Sequence, residues 1–437
     1  MKSTAGPGRV FRWRTPAAVA LALAVSWGAT SVSGQLPPGD HWFTAWSTSQ
    51  HALAETRITN ATVRMIAKVT IAGDAVRIRL DNSFGTEPVT IGRARVGYRI
   101  RGAAIAAGSN RPLTFNGKPD GVIPVGGTLW SDSVPMAVLA QQDLAVSLYI
   151  PGANVRPSQH AGAVVTSYRS ADGSGDLGGA DGNAGFETTT TALWWLKAID
   201  VNSPTAEGTI VAFGDSITDG TCATLDAHDR WEDVLSMRLG LDRTPRPMKQ
   251  AKGRSMPVPP QIAYQRAVIN EGIGGNTVTR EGLNPPPDSP PGIDRVDRDV
   301  LSHHGVSHAI VFMGTNDIRR GATANSVMNG ITNIVRRLKA KGVKPIGVTI
   351  IPRHNVPASG TNTGWDASKT RIRNDVNQWI RTKAGFDAVL DFDKVVRDPG
   401  NPDLISPAFN CGDGIHPSPI GYYQMGSSID LSLFVLR

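Results

Sequence analysis

One stretch indicates the fold of the C-terminal half of this 437-residue chain: Thr209-Ile-Val-Ala-Phe-Gly-Asp-Ser-Ile-Thr-Asp-Gly220. Its first five residues favour a strand, and a glycine then leads to Ser216. Short apolar runs bounded by turn residues are typical of strands buried on both faces of a parallel sheet. A serine at such a strand-to-helix turn has the positive end of the helix behind it, which favours developing negative charge. Alone, Gly214-Asp215-Ser216 equally fits an Asx turn or a helix cap.

The same strand pattern recurs further along the chain. The later apolar runs lie at 267–270, 309–312, 346–351 and 388–392. Helical patterns lie between them, and two of these place apolar residues on one face: Val327, Ile331, Ile334, Val335 and Leu338, followed by Gly342 as a stop, and Ile372, Val376, Trp379 and Ile380. Strand–helix alternation predicts an α/β domain over 206–437, with a mostly parallel sheet whose carboxyl ends carry the site.

A different pattern precedes this domain, and it predicts a β-rich region over 41–205. Val63 to Ile71 and Ala75 to Leu80 flank Gly73-Asp74, which indicates a hairpin. Apolar and basic residues alternate over 76–80, so we expect one face in a core and the other in water. No helical stripe of ten or more residues interrupts the region, so a sandwich-like domain is expected.

The first 34 residues have the order of a signal peptide. Lys2, Arg9, Arg12 and Arg14 precede an apolar run over 16–25 and then small residues over 31–34. The apolar run is too short to span a bilayer, although an uncleaved membrane anchor is the alternative. No later segment has 18 consecutive apolar residues, so no stable membrane insertion is expected.

Cleavage after this segment would change the charge of the protein. Removing the four basic residues lowers the formal net charge from +8 to +4, because no acid precedes Asp40. So small a net charge does not indicate a nucleic-acid partner. The predicted signal peptide leads us to expect a protein that is secreted to the periplasm or the medium.

Three further polar blocks follow predicted strands. Gly275, in the block Asn270 to Thr277, can bring a backbone N–H close to a reacting oxygen. Asn316, in Gly314-Thr-Asn-Asp317, offers a side-chain N–H to an oxyanion. Each block alone is equally compatible with an ordinary turn or cap.

The last block, Asp413-Gly-Ile-His416, supplies an acid–base pair. Of the nine histidines only His416 has an aspartate three residues before it, and such a carboxylate can fix the tautomer of the ring. Serine needs an adjacent base to act as a nucleophile. The hypothesis is a triad of Ser216, His416 and Asp413, with the oxyanion bound by the N–H groups of Ser216 and Gly275 and by the Asn316 side chain.

The two cysteines flank this hypothetical site. Cys222 follows Ser216 by six residues, and Cys411 precedes Asp413 by two. If Ser216 and Asp413 share a site, the cysteines are neighbours, and export to an oxidising compartment favours a Cys222–Cys411 disulfide. Two unrelated buried thiols are the alternative.

The four blocks, in this order, resemble those of the SGNH hydrolases, the GDSL esterases and lipases, over about 207–437. The resemblance implies a flavodoxin-like α/β/α fold, a serine–histidine–aspartate triad and a three-donor oxyanion hole. Asp229-Arg-Trp231, Asp391-Phe-Asp393 and Phe84-Gly-Thr-Glu-Pro88 are similar to a secreted bacterial branch with an N-terminal β-domain. The proline-rich stretch 243–265 is longer than that branch usually carries.

These observations predict a secreted serine ester hydrolase without a cofactor or metal. The expected reaction removes O-acyl groups, acetyl in particular, from carbohydrate or from small esters, so that an acylated polysaccharide is a candidate partner. The alternatives are a lipase or phospholipase of the same family, and a carbohydrate-binding protein without catalysis. A metal hydrolase would need His303, His304 and His308, but no His-Glu-x-x-His pattern occurs. We expect these three histidines to mark a solvated helix end instead.

Overall fold

The computed structural model describes residues 41–242, 265–360 and 362–434. The predicted signal peptide over 1–34 lies outside the described residues, and so does most of the proline-rich stretch 243–265. Within the described part of the chain, no helix is both long enough and apolar enough to cross a bilayer.

The N-terminal region is built from antiparallel strands, and no helix occurs between Trp42 and Asn202. The strands are β1 (Trp42–Ser47), β2 (Ala52–Leu53), β3 (Ala61–Val69), β4 (Gly73–Asp81), β5 (Val89–Ile91), β6 (Arg93–Arg101), β7 (Ala104–Ile105), β8 (Arg111–Leu113), β9 (Gly121–Ile123), β10 (Thr128–Trp130), β11 (Val134–Val138), β12 (Gln142–Ile150), β13 (Ser158–His160), β14 (Ser167–Arg169), β15 (Thr188–Thr190), β16 (Leu193–Trp194) and β17 (Leu196–Asn202).

Two sheets of this region form the expected sandwich. One has the order β1-β17-β4-β10, with β11 also paired to β4, and the other has the order β15-β14-β3-β12-β6-β7, with β8 paired to β6. Apolar side chains from both sheets, among them Met65, Ile78, Val146 and Ile199, form one continuous core. The expectation of a β-sandwich-like domain is therefore confirmed.

The hairpin predicted around Gly73-Asp74 is wrong. β3 pairs with β12 and β14, whereas β4 pairs with β17, β10 and β11 in the other sheet. The short link thus crosses from one layer of the sandwich to the other. A turn signal between two apolar runs does not distinguish these two connections, because each brings an apolar face into the same core.

The prediction that the basic face of β4 lies in water is also wrong. Arg79 is only 5% exposed, and its guanidinium donates to the backbone oxygen of Ser302 at 3.1 Å in the C-terminal domain. Arg77 is 23% exposed and pairs with Asp200 at 3.0 Å. The C-terminal domain covers this face, so the strand is buried on both sides.

The C-terminal domain alternates strands and helices. Its elements are β18 (Ala206–Gly214), α1 (Ser216–Asp219), α2 (Trp231–Leu241), β19 (Gln265–Gly272), α3 (Gly292–Val296) with a π-helical turn (Asp297–Leu301), β20 (Val306–Phe312), α4 (Thr315–Arg319), α5 (Ala324–Ala340), β21 (Lys344–Val348), α6 (Ala367–Thr382), β22 (Ala388–Leu390), α7 (Phe392–Val396), α8 (Pro419–Ser428) and a 3-10 turn (Leu431–Phe434).

All five strands of this domain are parallel, in the order β19-β18-β20-β21-β22. Numbered within the domain this is 2-1-3-4-5, the flavodoxin-like order, whose switch point lies between the first and third strands. Alternate residues of β18 face opposite layers. Val211 and Phe213 pack towards α5 and α6, whereas Ile210 and Ala212 pack towards α2 and α8. The expected three-layer α/β/α fold is therefore confirmed.

The β-rich region covers the β19 edge of the parallel sheet. The Val268 N–H donates to Thr70 Oγ1 at 3.1 Å. Buried ions also join the two parts, because the ammonium of Lys197 in β17 lies 2.8 Å from both Glu271 and Asp299. All three side chains are essentially inaccessible to water, so the two parts of the chain share one desolvated ion-pair network.

Candidate active site

Ser216 lies where β18 turns into the short helix α1. Asp215 caps this helix, and its Oδ1 accepts the Ile217 N–H at 3.0 Å. Gly214 allows the close turn, because a Cβ there would lie 2.1 Å from Thr218 Oγ1. Burial raises the pKa of Asp215 to about 6. The strand end, the glycine and the cap together fix the position of the Ser216 hydroxyl at the carboxyl edge of the sheet.

His416 lies within hydrogen-bond distance of Ser216. Its Nε2 is 2.8 Å from Ser216 Oγ, and its Nδ1 is 2.5 Å from Asp413 Oδ2. A neutral ring that donates from Nδ1 to the carboxylate leaves Nε2 free to accept the serine proton. Burial opposes the charge of Asp413, but its hydrogen bonds to the His416 side chain and backbone hold its pKa well below the ordinary value.

The loop that carries these two residues is tied down locally. Asp413 Oδ1 accepts the backbone N–H groups of Ile415 and His416, each at 2.8 Å. Cys411 forms a disulfide with Cys222, with 6.3 Å between the two Cα atoms. This bond links the loop to the segment that follows α1, so the expected Cys222–Cys411 pairing is present in the structure.

Three donors line the cleft beside the serine. The cleft is open, has a volume of about 380 Å³, and is lined by Ser216, Gly275, Asn316 and His416 among others. Within the described part of the chain, the N–H groups of Ser216 and Gly275 have no hydrogen-bond partner. Gly275 has a φ of 72°, a left-handed conformation that suits glycine. The structure therefore places four of the five sequence-predicted site residues around one cleft, and the fifth, Asp413, contacts the His416 ring.

A buried arginine supports the Asn316 donor from below. Asn316 Nδ2 donates one hydrogen to the Asn276 backbone oxygen at 3.0 Å, which leaves its second hydrogen for the cleft. Arg295 donates to Asn276 Oδ1 at 3.0 Å and to the Gly214 backbone oxygen at 2.7 Å. One guanidinium thus joins the loop of Gly275 to the end of β18, and it fixes both relative to each other.

A histidine of the β-rich region supports the Gly275 loop. Asp219 Oδ2 accepts the Gly274 N–H at 2.9 Å, and Asp219 Oδ1 lies 2.9 Å from His160 Nε2. His160 Nδ1 lies 2.8 Å from the Ser49 backbone oxygen. Because both ring nitrogens face acceptors, this arrangement favours the doubly protonated, positively charged form of His160. Burial opposes this charge, but the Asp219 carboxylate outweighs it and raises the pKa of His160.

The three histidines considered as metal ligands have separate partners. His303 is buried and lies 2.6 Å from Glu271. His304 pairs with Asp200 at 2.8 Å, and His308 lies 2.9 Å from Ser307 Oγ. The expectation of a solvated helix end is wrong for His303 and His308, which are 7% and 1% exposed, because the β-rich region and the C-terminal turn cover them.

Sequence reasoning missed the residues that hold and flank the cleft. His160 and Arg295 act through contacts between distant segments, and nothing in their local sequence marks them. Arg319 and Arg353 also line the cleft. Of these residues, only Arg319 could have been placed near the site from the sequence, because it lies about one helical turn after Asn316.

A serine beside a hydrogen-bonded histidine–aspartate pair, at the carboxyl edge of a 2-1-3-4-5 parallel sheet, defines the class of α/β/α ester hydrolases. Residues 212–424 match the model of the GDSL-like lipase/acylhydrolase family. The C-terminal domain therefore belongs to this family, and the protein is a carboxylic ester hydrolase.

Several solved structures are similar to the C-terminal domain. A GDSL-like lipase from Bacteroides thetaiotaomicron is 18% identical with a TM-score of 0.37, and the match covers 52% of this chain and 88% of that one. Est24, a carbohydrate acetylesterase from Sinorhizobium meliloti, is 17% identical with a TM-score of 0.36, covering 50% and 94%. An aryl esterase of M. smegmatis is 18% identical with a TM-score of 0.36, covering 50% and 94%. Among curated protein sequences, none matches the chain.

Proposed function

We propose that this protein is a secreted serine esterase that removes small O-acyl groups, acetyl above all, from carbohydrates or small esters. The observation that carries the mechanism is the pair of contacts made by His416, at 2.8 Å to Ser216 Oγ and 2.5 Å to Asp413 Oδ2. Both lie within the range in which a proton can be transferred along a hydrogen bond.

The reaction proceeds through an acyl-enzyme. His416 Nε2 accepts the Ser216 proton as Oγ bonds to the ester carbonyl carbon, and Asp413 stabilises the resulting imidazolium. The carbonyl oxygen becomes negative and takes hydrogen bonds from the Ser216 and Gly275 N–H groups and from Asn316 Nδ2. As the intermediate collapses, the carbon–oxygen bond to the alcohol breaks and His416 protonates the alkoxide. Water then attacks the acyl-enzyme by the same steps, which releases the acid and restores Ser216.

The composition of the cleft favours a small acyl group on a polar alcohol. Ile415 is the only large apolar side chain among the described residues that line it. The others are glycines and polar or charged residues, which offer hydrogen bonds but little apolar surface for a long acyl chain. Burial of apolar chain in such a cleft would contribute little binding free energy, which is why we favour acetyl esters over lipids.

A substrate panel tests this proposal. Initial rates would be compared for acetyl, butyryl and dodecanoyl 4-nitrophenyl esters and for acetylated xylan, using the wild-type protein and Ser216→Ala. We expect the acetyl ester and acetylated xylan to be hydrolysed best, and the variant to lose activity by about 10⁴-fold or more. A preference for the dodecanoyl ester would instead identify a lipase. Unchanged activity in the variant would refute the serine mechanism.

The export signal supports secretion and has a separate test. Expression of the full chain in a bacterial host, followed by fractionation and N-terminal sequencing, should yield an exported protein that lacks about the first 34 residues. Retention of the intact N-terminus in the cell would contradict secretion without affecting the proposed chemistry.

A further inference from the structure

Two arginines line the active-site cleft together with the serine and histidine. Arg319 ends α4, the helix that begins next to Asn316, and Arg353 follows the strand β21. Arg353 is only 4% exposed, whereas Arg319 is partly exposed. Guanidinium groups in a cleft present planar sets of N–H donors that match carboxylate, sulfate or phosphate oxygens.

Neither guanidinium has an anionic partner of its own. Within residues 41–242, 265–360 and 362–434, no carboxylate forms an ion pair or hydrogen bond with Arg319 or Arg353. Arg353 Nε is buried without any hydrogen-bond partner. Burial and the positive charge of Arg319 lower the pKa of Arg353 to about 10, although the nearby carboxylates of Asp413 and Asp215 oppose this shift. Two like charges therefore line the cleft, and neither forms an ion pair with a carboxylate of the described residues.

A structural arginine of the same domain shows the contrast. Arg295 lies under the site and uses all three guanidinium nitrogens, donating to Asn276, Asp299, the Gly214 backbone oxygen and others. The guanidinium of Arg353 instead lies over the ring of Trp365, 5.1 Å from its centroid. Stacking of this kind orients the guanidinium plane but leaves its N–H groups free for a ligand.

Arg353 lies on the side of the cleft where the alcohol part of the ester would bind. The next residue, His354, donates its backbone N–H to the Gly414 oxygen at 2.8 Å, so Arg353 lies beside the loop of Asp413 and His416. His416 protonates the departing alkoxide in the proposed mechanism, so the alcohol part must lie next to it. The only carboxylate of that loop, Asp413, is already bonded to the His416 ring.

We propose that Arg353 and Arg319 form a subsite for an anionic group on the alcohol part of the ester, such as the carboxylate of an acylated acidic sugar. This inference rests on the proposed function, because it names the substrate class of the same cleft. Desolvation of Arg353 strengthens the attraction between its guanidinium and such a group.

A matched pair of acetyl esters tests the subsite. 4-Acetoxybenzoate carries a carboxylate on its phenol part, and methyl 4-acetoxybenzoate is its neutral counterpart. The readout is the ratio of kcat/KM for phenol release from the anionic ester to that from the neutral one, for the wild type, Arg353→Gln and Arg319→Gln. Comparing ratios between proteins cancels the different chemical reactivity of the two esters. Arg371→Gln is the control, because Arg371 is exposed on α6 and does not line the cleft.

We expect the ratio to fall about tenfold or more in each cleft variant, as for loss of a charge-assisted hydrogen bond, and to stay at the wild-type value in Arg371→Gln. The wild-type ratio should also fall as salt is raised, since ions screen a partly exposed charge pair. This salt series tests the subsite even if a variant fails to fold.

Two other outcomes would overturn the inference. Ratios within about twofold of wild type in both variants, with no salt dependence, would remove the anionic subsite and leave the esterase intact. Failure of the wild-type protein to hydrolyse either ester would contradict the proposed function itself, and the subsite with it.

Discussion

His160 Nε2, in the β-rich region, lies 2.9 Å from Oδ1 of Asp219, the last residue of α1. The other oxygen of Asp219 accepts the Gly274 N–H at 2.9 Å, directly before Gly275. The β-rich region therefore holds part of the oxyanion-binding loop in place. In the proposed mechanism this contact positions the Gly275 N–H, which donates to the oxyanion.

Replacing His160 should weaken catalysis without removing a catalytic group. In His160→Gln the charge-assisted contact to Asp219 is lost, so Gly274 and the neighbouring Gly275 N–H are held less firmly. We expect kcat for 4-nitrophenyl acetate to fall about tenfold with a smaller change in KM, because the oxyanion forms only in the transition state. Steady-state kinetics provides the measurement, with His41→Gln, directly before β1, as the control. An equal loss in both variants would refute the positioning role.

The same histidine should make stability depend on pH. The pKa of His160 is raised above its ordinary value of 6.5 by Asp219, so its contribution is complete below the unfolded pKa and is lost as pH rises through the folded pKa. The difference in free energy of unfolding between wild type and His160→Gln, measured in urea, should therefore be larger at about pH 5.5 than at about pH 9. A difference that grows towards high pH would contradict an imidazolium at this position.

Removing the Asn316 side chain should slow the chemical step. Asn316→Ala deletes one oxyanion donor, and we expect kcat to fall by about 10²–10³-fold, equivalent to about 2.7–4 kcal/mol of barrier. Asn325→Ala, at an exposed position at the start of α5, serves as the control and should retain wild-type rates. An increase in KM with unchanged kcat would show that Asn316 contributes to binding the substrate rather than to stabilising the transition state.

Loss of Lys197 should destabilise the whole protein. Burial alone would raise the pKa of Glu271, but the Lys197 ammonium, together with His303, lowers it to about 2. Lys197→Met leaves Glu271 and Asp299 buried without this partner, so we expect a loss of about 3–5 kcal/mol in the free energy of unfolding. Lys339→Met, which removes a half-exposed pair with Asp387, should cost less than about 1 kcal/mol. Similar effects in both variants would show that the buried network does not join the two parts.

The sequence could predict the five candidate site residues, though not the two arginines of the cleft, because each of the five lies next to a local signal. Ser216 and Asn316 directly follow buried strands, and Asp413 and His416 are three residues apart. Once the strands are parallel and in the flavodoxin-like order, their carboxyl ends must share one edge. The Cys222–Cys411 pairing followed from the same geometry, because each cysteine is close in sequence to a site residue.

The sequence could not predict contacts that depend on how the two parts of the chain pack. His160 and Asp219 are 59 residues apart, and no local pattern relates them. Arg79 reads as a solvent-facing residue of an alternating strand until the C-terminal domain covers it. The link between β3 and β4 has the residues of a hairpin turn, yet it joins two layers, because strand pairing is decided by the whole sandwich rather than by the turn.

In the proposed mechanism Ser216 is the nucleophile and His416 activates it. Intact-protein and peptide mass spectrometry tests this after treatment with diethyl 4-nitrophenyl phosphate, which phosphorylates activated serines and releases nitrophenol. We expect one diethylphosphoryl group, located on Ser216, loss of esterase activity in proportion to labelling, and little labelling in His416→Ala. Complete inactivation with the adduct on another residue, or full activity with Ser216 labelled, would contradict it.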